Sequence, residues 1–110
     1  MNKMSLDALA REHLERARGV SAGRSAQTVY GGHETTLRQT VIALVEGGQL
    51  AEHDNQGEAT LHVLSGRVRL NAGDTAWEGR TGDLIVVPQR PHELLALVDS
   101  VVLLTIALSR

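Results

Sequence analysis

Residues 63–70, VLSGRVRL, and residues 82–88, GDLIVVP, decide how this chain folds. In the first stretch Val68 and Leu70 alternate with Arg67 and Arg69, the period of a strand with one apolar and one polar face. Ser65-Gly66 supplies the turn that precedes it. In the second, LIVV is a short continuous apolar run closed by Gly82 and Pro88, which reads as a strand covered on both faces.

The same pattern extends outward from Gln27 to the C-terminal end. Turn residues recur at Gly31-Gly32, Gly47-Gly48, Asn55-Gln56-Gly57, Asn71-Ala72-Gly73, Glu78 to Gly82, Pro88 to Pro91 and Asp99-Ser100. Between them lie candidate strands at 35–46, 49–54, 59–65, 67–71, 74–78, 83–88, 91–98 and 101–108. None of the connections is long enough for a crossover helix, so the strands are expected to pair antiparallel, as in a sandwich or barrel. VVLLTIAL at 101–108 is expected to be covered on both faces, by the opposite sheet and by a helix or a partner subunit.

One segment has helical spacing instead. In SLDALAREHLERAR, residues 5–18, Leu6, Leu9, Ala10, His13, Leu14 and Ala17 form one face. Ser5 is the expected N-cap, Asp7 suits the first turn and Gly19 the end. This helix is expected to pack outside the strands, with residues 19–26, GVSAGRSA, as a linker. The expected organisation is therefore a helix and linker over 1–26 and a β-domain over 27–110.

Composition narrows the function classes. The 110 residues suit one domain, and the formal net charge of -2 comes with scattered basic residues. No basic stripe suggests nucleic-acid binding. There are no cysteines, which removes disulfides, thiolate metal sites and cysteine nucleophiles. Tyr30 and Trp77 are the only aromatic residues besides histidine, a poor basis for stacking bases or sugars. No signal-peptide pattern opens the chain, and 101–108 is too short to span a bilayer. A cytoplasmic protein without membrane or nucleic-acid partners is expected.

Two stretches resemble the paired motifs of the cupins, in particular the small single-domain, RmlC-like members. Their first motif reads G-x5-H-x-H-x3,4-E-x6-G. Here Gly47 is followed after five residues by His53, then Asp54 and Asn55, and the stretch closes at Gly66. Their second reads G-x5-P-x-G-x2-H-x3-N; here Gly82 is followed after five residues by Pro88, and His92 comes four residues after Pro88. The resemblance covers about 35–108 and implies an antiparallel jelly-roll barrel, a homodimer, and a site inside the barrel centred on His53 and His92. It also implies a divalent metal, Fe, Mn, Ni or Zn, on imidazole and carboxylate ligands.

The motifs are degenerate. Asn55 stands at the second histidine position, Ala59 at the glutamate position and Ala96 at the asparagine position. Asn55 remains an oxygen-ligand candidate. Glu58 joins the set only if a bulge at 55–57 turns it inward. Arg38 and Gln39 are candidates for the pocket wall, Arg38 as a bidentate partner for a carboxylate. By strand parity His62 belongs on the outer face, while His33 reads as a loop residue and His13 as packed on the helix. Trp77 reads as core or interface filler, and Glu46, Glu52 and Asp54 as a solvated acidic face. Three functions fit: a protein binding a small polar molecule with or without a metal, a metal-dependent dioxygenase or isomerase, and a dimeric interaction or sensor module with an empty pocket.

Overall fold

One helix and nine strands follow in order in the computed structural model, which describes residues 3–53 and 57–108, with Glu52 and His53 described by their backbone only. They are α1 (Leu6–Arg18), β1 (Arg24–Tyr30), β2 (Leu37–Leu44), β3 (Gln49–His53), β4 (Gly57–Ser65), β5 (Arg67–Ala72), β6 (Thr75–Arg80), β7 (Leu84–Val87), β8 (His92–Ala96) and β9 (Ser100–Leu108). A five-stranded sheet runs β1-β2-β9-β4-β7 and a four-stranded sheet runs β3-β8-β5-β6, with every pairing antiparallel. This is a jelly roll. Among the described residues its two sheets face each other without closing into a continuous barrel, because β6 and β7 remain separate edges.

Alternation along each strand sorts the side chains between two cores. Inside, Ile42 and Leu44, Leu61 and Val63, Val68 and Leu70, Leu94 and Ala96, and Val102 interdigitate between the sheets. Outside, α1 lays Ala10 and Ala17 over Val41, Ala43, Val101 and Leu103 on the five-stranded sheet. Ser5 Oγ accepts from Ala8 N–H at 3.1 Å, so the helix is capped where the sequence predicts. Its far end is tied down by Asp99, which accepts from Arg18 Nε at 2.8 Å and from Glu46 N–H at 2.8 Å.

Three expectations change. Arg24–Tyr30 is a strand, so the sheet begins three residues inside the stretch read as linker. RSAQTVY has almost no apolar pattern; its pairing with β2 and the grip of His13 on Ser25 and Gln27 are tertiary contacts. LIVV is covered on one face only. Ile85 and Val87 are buried while Leu84 and Val86 are 63% and 74% exposed. Trp77 is not core filler. It pairs with Leu70 at the free edge of its sheet and is 39% exposed.

The turn that carries VLSGRVRL shows why glycine is needed there. Gly66 has φ +95°, and a Cβ on it would stand 2.3 Å from Ser100 Oγ and 2.5 Å from the Asp99 carbonyl oxygen. Ser100, itself buried, accepts from Arg67 N–H at 3.0 Å and donates to the Val98 carbonyl at 2.7 Å.

Candidate functional site

His92 opens β8 straight after Pro91. The chain bends at Gln89-Arg90, Pro91 follows, and the strand starts at the histidine. His92, Leu94 and Ala96 face inward and are buried, while Glu93 and Leu95 are only half-buried. His92 is 4% exposed, and its Nδ1 lies 2.8 Å from the Arg90 carbonyl oxygen. A carbonyl only accepts, so Nδ1 carries the proton. In the neutral ring Nε2 is then the acceptor nitrogen, with tautomer and ring orientation both set by the backbone.

The neighbouring strand, β3, brings the other histidine position to the same level. Gln49 and Leu50 pair in step with Leu95 and Leu94, and the next pairing is His53 with His92. Three residue steps on β3 thus match two on β8, a bulge at 51–52. Strict alternation from Leu50, which packs on the inner core, would set residue 52 opposite His92. The bulge sets residue 53 there instead. The side chain of His53 and the whole of Asn55 lie outside the described residues.

Facing them is the end of the five-stranded sheet. Arg38, Ile106, Ala59 and Val87 are Cα partners in turn across β2, β9, β4 and β7, and form one row. Thr40, Leu104, Leu61 and Ile85 form the row behind it. Both rows share the parity of Ile42 and Leu44, so both lie on the inner face. The chain itself places this row and His92 at one end of the jelly roll: four residues link Val87 to His92, and three separate His53 from Gly57.

The same parity separates Arg38 from Gln39, which cannot both line the interior. Gln39 faces outward, where its Nε2 donates to Thr105 Oγ1 at 3.2 Å. Glu58 is likewise placed outside. It pairs with Ala107 in unbroken register from Gly57 and is exposed, so no bulge turns it inward. His62 stands outward too, as parity predicts, and pairs with Leu84 and Leu103. His33 lies in the 31–36 loop.

Two features escaped the sequence reading. Thr40 lines the interior, which counting back by twos from Ile42 would have found. His13 is more than packed: it is 2% exposed, with Nδ1 2.7 Å from Ser25 Oγ and Nε2 2.8 Å from Gln27 Oε1. No local signal announces that pairing, since α1 and β1 meet only in the fold.

Among the described residues no group of three His, Cys, Asp or Glu side chains gathers as metal ligands. The described inner face offers one imidazole and no carboxylate, which does not fit the two-histidine, one-carboxylate set that holds a divalent ion with open positions.

Comparison by sequence with protein-family models and with curated proteins finds no match. Solved structures do match. A conserved protein of unknown function from Streptococcus pyogenes is 24% identical, with a TM-score of 0.74 over 83% of this chain and 79% of that one. An RmlC-like cupin from Desulfovibrio desulfuricans is 26% identical, with a TM-score of 0.67 over 76% of this chain and 81% of that one. A variant of salicylate 1,2-dioxygenase from Pseudoaminobacter salicylatoxidans is 22% identical, with a TM-score of 0.73 over 92% of this chain but 31% of that one. The architecture is that of small cupin domains such as these, which this chain resembles in fold. No helix among its described residues is long and apolar enough to cross a membrane.

Proposed function

We propose that this protein binds a small polar molecule between its two sheets, at the end where His92 faces the row of Arg38. One observation carries the reading. A buried histidine, its Nδ1–H spent on a backbone carbonyl, stands on an inner face that among the described residues is mostly aliphatic, with Arg38 and Thr40 at the same end. A core designed only for stability has little use for such a group, because its polar atoms must all be satisfied where an alkyl side chain would pack. A binding site does, because a fixed imidazole orients a ligand.

The dioxygenase or isomerase reading is weaker. Glu58, the nearest carboxylate in sequence to the family position, lies on the opposite face. The reading therefore needs no resident metal. It includes a homodimer: Leu84 and Val86 on the exposed face of β7, an edge strand, form the apolar strip that a second copy would cover.

The test is a thermal-shift and calorimetric screen of small carboxylates, sugars and polyols on wild type and on His92→Ala. A ligand at a hundred times its Kd stabilises the wild type by about 2.7 kcal/mol. That shift should vanish in the variant. A panel that moves neither protein, or both equally, would overturn the proposal.

A further inference from the structure

We infer that the molecule bound in this interior is a small monocarboxylate, held by Arg38. The inference deepens the reading above and rests on it. It starts from a charge that has no ion-pair partner among the described residues, which leave out the Glu52 side chain and Asp54. Arg38 is half-buried on the inner face, in a row whose other members are Ile106, Ala59 and Val87. The ion pairs among the described residues use Arg16, Arg18 and Arg69, and none includes Arg38. The acids of β4, β6 and β8, namely Glu58, Glu78 and Glu93, all stand at outward positions. A guanidinium on an aliphatic wall loses hydration without gaining a counter-charge, a cost that proteins rarely carry without a use for it.

The backbone beneath Arg38 is held firmly. Gly31 has φ +102°, and a Cβ there would meet the Leu37 carbonyl oxygen at 2.5 Å and Arg38 Cα at 2.9 Å. Thr35 Oγ1 accepts from Gly32 N–H at 2.9 Å and donates to the Leu37 carbonyl at 2.9 Å. The loop from 31 to 36 therefore clamps the start of β2, and Leu108 N–H closes it by donating to the Thr36 carbonyl at 2.8 Å. The backbone that carries Arg38 therefore needs no reordering when the side chain takes a ligand.

The chemistry then selects the ligand. The planar fork of a guanidinium matches the two oxygens of a carboxylate. A single cation balances a single negative charge, whereas a phosphate dianion needs further donors that this row lacks. Thr40 in the next row and His92 across the interior are the neighbours for a hydroxyl or carbonyl on the same molecule; the aliphatic rows take its apolar part.

The experiment measures binding of lactate, benzoate and 4-hydroxybenzoate, each against its primary amide, and of inorganic phosphate. The proteins are wild type, Arg38→Gln, Arg38→Lys and Gln39→Ala. We expect wild type to prefer at least one acid over its amide by about tenfold or more, the worth of a charge-assisted pair. Arg38→Gln should remove that preference while keeping its Tm, Arg38→Lys should keep part of it, and the outward Gln39→Ala should keep all of it. If acids and amides bind wild type alike, or phosphate binds better, or Arg38→Gln keeps the preference, the carboxylate inference fails while interior binding stands. If nothing in the panel or the broader screen binds wild type, both fail.

Discussion

His53 and His92 are Cα partners across the β3–β8 ladder, and they are so because β3 carries one residue more than β8 between Leu50 and His53. Two histidine positions 39 residues apart in the chain (92 less 53) thus fall at one level of one sheet. One more residue inserted before the bulge would slip the strand by one place and bring a different residue opposite His92.

Inserting an alanine between Leu50 and Ala51 should therefore abolish ligand-induced stabilisation while leaving the fold intact, since Gln49 and Leu50 keep their partners. The checks are the far-ultraviolet circular dichroism spectrum and the thermal shift with whichever ligand stabilises wild type. An insertion variant that binds as wild type does would show that His53 has no part in the site.

His13 should matter for stability and not for binding. Replacing it by Ala leaves Ser25 Oγ and Gln27 Oε1 without their shared partner under the helix and opens a hole in the outer core. The expected cost is about 2 kcal/mol in denaturant unfolding. Amide exchange should rise over Leu6–Arg18 and β1, while ligand affinity at the far face of the sheet stays unchanged.

The glycines separate two kinds of position. Gly66→Ala meets Ser100 and the Asp99 carbonyl and also demands a left-handed backbone, so it should cost about 3 kcal/mol or more. Gly32→Ala meets nothing within 4 Å and has an ordinary φ, so its effect should stay within about 0.5 kcal/mol. Tm and urea midpoints of the two variants give the comparison.

Acid should loosen the helix end through Asp99. Its hydrogen bond from Glu46 N–H, and then that from Arg18, hold the carboxyl below the ordinary aspartate range. A depressed folded value means that the contribution is present above the unfolded pKa, near 3.9, and is lost as pH falls through the folded value. Asp99→Asn should therefore be less stable than wild type at neutral pH, and should lose less stability than wild type between about pH 5 and pH 2. Urea midpoints across that range decide it. Equal acid slopes for the two proteins would show that Asp99 does not contribute.

Oligomeric state is checked by light scattering. The homodimer proposed above should dissociate in Val86→Lys, which sets a charge on the exposed apolar strip of β7. A monomeric wild type, or a variant that remains dimeric, would remove that strip as the interface.

How much of this could be read from residues alone depends on how local each cause is. Alternation in VLSGRVRL, the cap at Ser5 and the turn at Gly66 are written in neighbouring residues, and they predict an antiparallel sandwich or barrel with a helix outside it; the jelly roll is implied by the resemblance to the cupin motifs. The outward place of His62 and the inward place of His92 follow from the same two-residue period. That period fails wherever a bulge breaks it, and nothing in LAEHDN says that a residue is inserted between Leu50 and His53. Nor can a single strand say what lies across from it. That Arg38 meets no acid among the described residues, that β1 grips His13, and that Leu84 and Val86 are exposed depend on residues far away in sequence. Short-range sterics and hydrophobic period are properties of the chain. Register between strands, and the company a buried charge keeps, exist only once the two sheets have met.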